Sequence, residues 1–367
     1  ISQSQPLSLL DKSTMMSSAA PSNNTDKAVL LWDDRNVYRW ENEKNESLTP
    51  IASLKELPKV SQILQLVNHN ILVLSAKSNT ISYVHLHNQT AELLLCNDEG
   101  CCSQSDSERC HQQSNSSQIS EISLNSQDHV SVYFSDNAAI KKFQIDDSII
   151  QPEVVVDLNH MDHPGNIIKF TFNEDYSIIF LLWERLDNEK NLLYWYHIHR
   201  KTMSGYIKIQ EKLANILSLG ENIILGLDEK HNRLLAIDYK HNSSSRVCLV
   251  NATAGSPGYS NEDDNSLECN TDPHSIKMMT QDDNYIYTMD SANNILAIDN
   301  IKGLYIKIDI ANNNCHVLNC ANSNTCWILE GGFAGENLIS LMFGILQPYR
   351  FGGRGGFPGG LKLQGMI

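Results

Sequence analysis

The chain has 367 residues, 41% of them hydrophobic, and its 28 Lys and Arg against 43 Asp and Glu give a formal net charge of -15. That balance leaves no basic stripe of the kind that binds nucleic acid, and no apolar run reaches the roughly 20 residues of a membrane-spanning helix. The length suits two average domains or one large repeat domain.

Residues 1–27 are polar and rich in Ser and Asn, and read as a solvated arm, or as one strand plus a linker. The chain begins at Ile1 and not at Met, which reads as a processed chain or a fragment. Hairpins then follow one another: Ala28 to Trp40, Asn70 to His87, His129 to Asp146, Ser177 to His199, Asn222 to Asp238, Asn284 to Asp299, and a seventh at Cys326 to Phe343. Each pairs two apolar, strand-forming runs across a short polar turn. An isolated hairpin is marginal in water, so these must stack on one another.

The polar residues that end the first strand of each hairpin are Asp34, Ser75, Asp136, Glu184, Asp228, Asp290 and Glu330, with gaps of 41, 61, 48, 44, 62 and 40 residues. Four of these gaps match the roughly 40–50 residues of a four-stranded propeller blade. The two long gaps hold inserts at about 96–117 and 245–272, each with its own cysteines. Flanking runs supply the other strands: Ser61 to Val67, Ala91 to Leu95, Asn166 to Phe172, Gly205 to Ile209, Ala214 to Leu219, Ser275 to Met279 and Leu304 to Ile310. Ser53 to Leu57 suits one helical turn, and no long 3.6-residue period interrupts the series. The pattern predicts an all-β protein, a β-propeller of four-stranded antiparallel blades over residues 28–346, with seven blades favoured and six as the alternative. Paired β-sandwiches explain short strands but not the recurring hairpin.

Nine cysteines fall in three groups: Cys96, Cys101, Cys102 and Cys110; Cys248 and Cys269; Cys315, Cys320 and Cys326. Local clustering suits disulfides formed in an oxidising compartment; a zinc site is the competing reading, without any C-x-x-C pair to support it. Sequons at Asn23, Asn45, Asn88, Asn115, Asn242 and Asn251 fall in loops, tails or hairpin ends, where a glycan is tolerated. Cysteines and sequons together point to a secreted or extracellular glycoprotein.

The tetrads Leu31-Trp32-Asp33-Asp34, Tyr133-Phe134-Ser135-Asp136, Leu225-Gly226-Leu227-Asp228 and Tyr287-Thr288-Met289-Asp290, with the run from Ala292 to Gly303, resemble the YWTD-type propellers of lipoprotein-receptor and related cell-surface proteins. The likeness spans most of residues 28–310; NHL-type and semaphorin-like propellers share the style. It implies an extracellular module that presents loops to protein ligands. That family's six blades precede a small EGF-like module, which Cys315, Cys320 and Cys326 only half supply.

The tail from Gln347 to Ile367 is Gly-rich. It reads as a flexible linker, with an RGG-like RNA contact or an arm docking on a neighbouring subunit as rivals. The pairs His85/His87 and His197/His199 share strand faces and have metal-ligand spacing, but half-solvated third strands commonly carry histidine. Asp34, Asp136, Asp228 and Asp290 recur at one blade position, which suits structural hydrogen-bond acceptors better than a calcium or acid–base ring. No hydrolase, zinc-protease or phosphate-loop motif occurs. The expected protein is non-catalytic, needs no cofactor, and binds a protein ligand or copies of itself. A self-assembling structural glycoprotein and a secreted propeller hydrolase or lyase are the alternatives.

Overall fold

The computed structural model describes residues 5–6, 15–18, 28–41, 47–55, 57–96, 101–104, 108–113, 118–161, 164–186, 191–219, 223–230, 233–240, 243–251, 276–281, 285–290, 295–299, 304–309, 314–319 and 325–330. The first sheet holds β1 (Gln5–Pro6), β2 (Met15–Ser18), β3 (Ala28–Trp32), β4 (Asn36–Glu41) and β5 (Ser47–Ser53), in the order β1-β5-β4-β3-β2. The second holds β6 (Gln62–Gln65), β7 (Ile71–Ser75), β8 (Thr80–His85), β9 (Thr90–Cys96) and, after the short helix α1 (Cys101–Gln104), β10 (His111–Gln112). The third is β11 (Ile122–Leu124), β12 (Ser131–Asp136), β13 (Ala139–Gln144) and β14 (Glu153–Asp157). The fourth is β15 (Gly165–Phe172), β16 (Ile178–Arg185), β17 (Leu192–His197) and β18 (Thr202–Lys208). The fifth is β19 (Leu213–Leu219), β20 (Ile223–Asp228), β21 (Arg233–Asp238) and β22 (Ser243–Asn251). A three-stranded sheet follows: β23 (Ile276–Gln281), β24 (Tyr285–Asp290) and β25 (Ile295–Asp299). Last come β26 (Leu304–Asp309), β27 (Asn314–Asn319) and β28 (Thr325–Glu330).

Among the described residues five antiparallel meander blades are present, and the protein is an all-β propeller. The first strands of successive sheets lie side by side: β2 touches β6, β6 touches β11, β15 touches β19, β19 touches β23, and β23 touches β2. The second strands of the blades are largely buried on both faces, so their apolar side chains divide between two cores. Leu72 and Leu74 of β7 enter the core shared with the third blade, while Ile71 and Val73 enter the core shared with the first. Phe180 and Leu182 of β16 face the fifth blade; Ile179, Leu181 and Trp183 face the third. Period-two alternation thus appears as a division between two cores instead of between core and water. Outer strands such as β18 do face water, and alternate accordingly.

Close backbone approaches need glycine at two points. A Cβ on Gly165 would come 2.3 Å from the Glu184 carbonyl oxygen and 2.5 Å from the Trp183 indole nitrogen. One on Gly205 would meet the Trp195 ring at 2.5 Å, across the strand pair that the two residues form.

The first six hairpins stand where the spacing places them, as β3–β4, β7–β8, β12–β13, β16–β17, β20–β21 and β24–β25. The seventh does not form a blade among the described residues. Thr325–Glu330 instead extends the fifth sheet, pairing antiparallel with β22, because that strand is nine residues long and offers a free edge. Residues 331–346 and the tail from Gln347 to Ile367 lie outside the described residues. Leu304–Asp309, expected as the last strand of the sixth blade, pairs with β27 in a separate two-stranded sheet. The first sheet begins before residue 28: Met15–Ser18 pairs with β3, and Met15 and Met16 carry it into the core.

Candidate functional site

The place where a propeller gathers chemistry is the ring of first strands around its axis. These strands lack backbone bonding to one another, so their inner N–H and C=O groups need partners. Side chains of neighbouring blades supply them. The Gln62 amide on β6 donates to the Ile122 carbonyl at 2.8 Å and accepts from the Ile122 N–H at 2.9 Å, replacing a missing strand neighbour. The Ser120 hydroxyl donates to the Ile167 carbonyl on the next blade at 2.7 Å. Asn215 on β19 donates to the Met279 carbonyl on β23 at 2.9 Å. Three first strands carry a bulge near their start, between Ile167 and Lys169, Leu213 and Asn215, and Ile276 and Met278. Lys169 and Asn215, which join the blades, each follow one of these bulges, and a bulge re-aims the side chains beside it.

Glu121 is the acid of this ring. Its carboxylate accepts from the Phe170 N–H at 2.5 Å and lies 3.3 Å from the Lys169 ammonium. Burial pushes its carboxyl above the ordinary carboxylate range, against the opposing pull of Lys169 and the Phe170 N–H. A raised folded pKa means that the folded protein holds the proton more tightly than the unfolded chain. Its stabilising effect is complete below the unfolded value and disappears as pH rises through the folded one. Glu121→Gln, which keeps an acceptor for Phe170, is therefore expected to gain stability relative to the parent as pH rises towards 8. That gain should disappear as pH falls towards 4. Urea melts at several pH values measure it, and a deficit of the variant that widens with pH contradicts it.

Gln62→Ala removes both bonds to Ile122 at a buried junction. The expected loss is about 2 kcal/mol, within the range for orphaned buried backbone groups, read from a denaturant melt.

Among the described first-strand segments, no second Asp or Glu joins Glu121, so the paired carboxylates that a propeller hydrolase needs do not converge there. The histidine pairs lie elsewhere. His85 ends β8, 42% exposed at its side chain, its ring tilted against Tyr83 with centroids 4.6 Å apart and its Nε2 4.0 Å from Glu92; His87 is in the turn beyond. His197 ends β17 and His199 is in its turn.

Three of the recurring aspartates, Asp136, Asp228 and Asp290, close a second strand, and only some act as expected. Asp136 is buried and ion-paired with Lys141. Asp228 is fully buried and accepts from the Lys230 N–H at 3.1 Å. Asp290 ends β24 opposite Ile276. Asp34 is exposed in its turn, and the acceptor there is Asp33, which takes the Arg35 and Asn36 N–H groups at 2.8 Å each and the Tyr38 hydroxyl. The β3 strand stops at Trp32, one residue short of its counterparts, which shifts the role by one.

A second repeat escaped the sequence reading. Asn68, Asp128 and Asp175 each accept backbone N–H groups two residues on, and each is followed by a residue at positive φ: His69, His129 and Tyr176. The signal is an Asn or Asp three residues before each second strand, a local side-chain turn.

The insert after β9 is built on sulfur. Cys96–Cys101 and Cys102–Cys110 are disulfide-bonded. Two of the insert's residues, His111–Gln112, then pair parallel with the end of β9 as the edge strand β10. Arg109 fixes it, bonding Glu92 at 3.4 Å and the carbonyls of Ile145 and Asp147 on the next blade. Cys248 and Cys326 are on the adjacent strands β22 and β28, with Cys326 opposite Val250; Cys315 is on β27, opposite Ile308. Cys269 and Cys320, with Asn23, Asn45, Asn115 and Asn242, lie outside the described residues. Asn251 ends β22. Asn88 is exposed in a turn, its carbonyl accepting from the Thr90 hydroxyl at 2.7 Å, and its amide nitrogen faces no described partner.

No protein-family model and no curated protein matches the sequence. Solved structures do resemble it. The crystal structure of a nidogen/laminin complex covers 62% of this chain and 77% of its own, at 13% identity and TM-score 0.44. A virginiamycin B lyase from Staphylococcus aureus covers 90% and 98%, at 10% identity and TM-score 0.44. A mitotic checkpoint complex covers 74% and 83%, at 10% identity and TM-score 0.45. Likeness at this level says nothing about activity or partners.

Proposed function

We propose that the chain is a non-catalytic extracellular propeller module that recognises protein partners through the turns and connections at its blade ends. One observation carries this: five polar side chains of the axis ring are engaged in joining neighbouring blades. Gln62, Ser120, Glu121, Lys169 and Asn215 all bond across blade junctions. Function then falls to the surface, where hairpin turns vary freely on a rigid frame. The disulfide-bonded insert and the exposed Asn88 sequon support secretion and N-glycosylation. We read the ring as six-bladed, with β23–β25 as the sixth member, since β23 touches both β19 and β2.

The test is a labelled, secreted form of the full chain offered to cell-surface and matrix proteins. Saturable protein binding that Glu121→Gln leaves intact supports the reading. Turnover of a glycan or ester that the same variant abolishes overturns it in favour of an enzyme.

A second reading has its own observation. β1, β10 and β28 add a fifth strand to three blades, while β14 and β18 are unpaired outer strands among the described residues. Open edges of this kind accept a strand from another copy, which favours a self-assembling structural protein. Light scattering of the full chain, and of a chain cut after Leu346, decides it: an assembly lost on truncation supports the reading, and a monomer in both forms removes it.

A further inference from the structure

We propose that the four cysteines of the first insert form a metal site: with both bridges reduced, Cys96, Cys101, Cys102 and Cys110 bind one zinc ion, or another soft divalent cation, as a tetrathiolate. The argument is geometric. Two independent disulfides have no need to touch, yet these two pack sulfur against sulfur. The Cys96 Sγ lies 3.4 Å from the Cys102 Sγ and 3.8 Å from the Cys110 Sγ. All three sulfurs fall within 4.8 Å of one another, and Cys101, bonded to Cys96, belongs to the same knot. A zinc tetrathiolate with bonds of about 2.3 Å has sulfur–sulfur edges of about 3.8 Å, so the Cys96–Cys102 and Cys96–Cys110 separations are already close to two of its edges.

The fold around the knot sets this convergence. Cys96 is the buried last residue of β9. Cys110 immediately precedes β10, whose parallel register places Gln112 beside Cys96. The Gln113 N–H donates to the Cys96 carbonyl at 2.6 Å, and Arg109 ties the same segment to the next blade. The two outer ligands are thus held by backbone, whichever bonds the sulfurs make. Helix α1 then brings Cys101 and Cys102 as a pair. Lys141 bonds Gln113 at 3.3 Å and adds a second tie from this segment to the next blade.

The chemistry balances. A dithiol reductant gives each bridge two electrons and two protons, yielding four thiols, and is itself oxidised to a disulfide. Zinc then forms four Zn–S bonds and releases the four thiol protons to solvent, with no further redox change. The insert keeps its fold in reducing and oxidising surroundings by exchanging two S–S bonds for one ion. This inference does not rest on the extracellular reading; the partner-binding experiment and the metal experiment can fail separately.

The test uses the full chain, reduced by a dithiol, freed of reductant under argon and titrated with cobalt. The expected result is one equivalent bound, with thiolate-to-cobalt charge-transfer absorption and tetrahedral d–d bands that one equivalent of zinc abolishes. A chain with Cys248, Cys269, Cys315, Cys320 and Cys326 all changed to Ser should behave identically. Cys102→Ser combined with Cys110→Ser should weaken zinc binding by about 100-fold or more, since even losing an outer-shell partner costs about 10–100-fold. Circular dichroism checks that this variant keeps its sheets. Absence of cobalt–thiolate bands in the reduced chain, or their persistence in that variant, overturns the proposal.

Discussion

Trp183→Ala is expected to lower the unfolding free energy by about 3–5 kcal/mol, the range for deleting a buried tryptophan. Trp183 is 1% exposed and sits in the core between the third and fourth blades, edge-on to Tyr194 with ring centroids 6.0 Å apart. It also covers Gly165, where a Cβ would come 2.5 Å from its indole nitrogen. Removing the indole opens a cavity at the start of β15, whose bulge and axis contacts depend on that packing. Urea melts followed by circular dichroism measure the loss. Trp183→Phe, which keeps an aromatic edge for Tyr194, should recover a substantial part of it. A loss below about 1 kcal/mol would mean that the blade junction collapses around the gap, and that the core is not close-packed there.

The position of Trp183 is legible because residues 178–183 of its strand form an unbroken apolar run, with a matching run across a polar turn. Where a strand is apolar and buried on both faces, as in residues 71–74 and 178–183, hydrophobicity alone marks it. The strands that escaped are short, polar or one-sided. Ile122–Leu124 has three residues, and Glu153–Asp157 shows an exposed first pair. Met15–Ser18 is hidden in a Ser-rich stretch, where only its two methionines reach the core. The seventh hairpin does not complete a blade among the described residues, for a different reason. Thr325–Glu330 does form a strand, but pairing is a contest between edges, and β22 wins it at long range. A repeat spacing cannot express that contest. The axis ring was illegible for a related reason. Gln62 and Glu121 look like ordinary surface residues in sequence, and their roles depend on a neighbour 60 or 48 residues away.

Ser135→Ala is expected to cost about 2–4 kcal/mol, because it strands two buried backbone donors, each worth about 1–3 kcal/mol when left without a partner. The Ser135 hydroxyl is fully buried and accepts from the Ser120 N–H at 3.1 Å and the Glu121 N–H at 3.0 Å. It also lies 2.7 Å from the Ser120 hydroxyl. Ser120 has one hydroxyl hydrogen, and that hydrogen goes to the Ile167 carbonyl on the next blade. The Ser135 hydroxyl must therefore be the donor in the serine pair. One side chain thus connects a second strand, a first strand and, through Ser120, the neighbouring blade. Its loss should loosen more than its own contacts: amide hydrogen exchange at Ser120, Glu121 and Phe170 is expected to accelerate together, while β20–β21 in the fifth blade is unaffected. Ser135→Thr, which restores the hydroxyl, separates lost hydrogen bonding from altered volume. If Ser135→Ala matched the parent in both stability and exchange, water would be satisfying those donors, and the stitched-axis account of the third and fourth blades would be wrong.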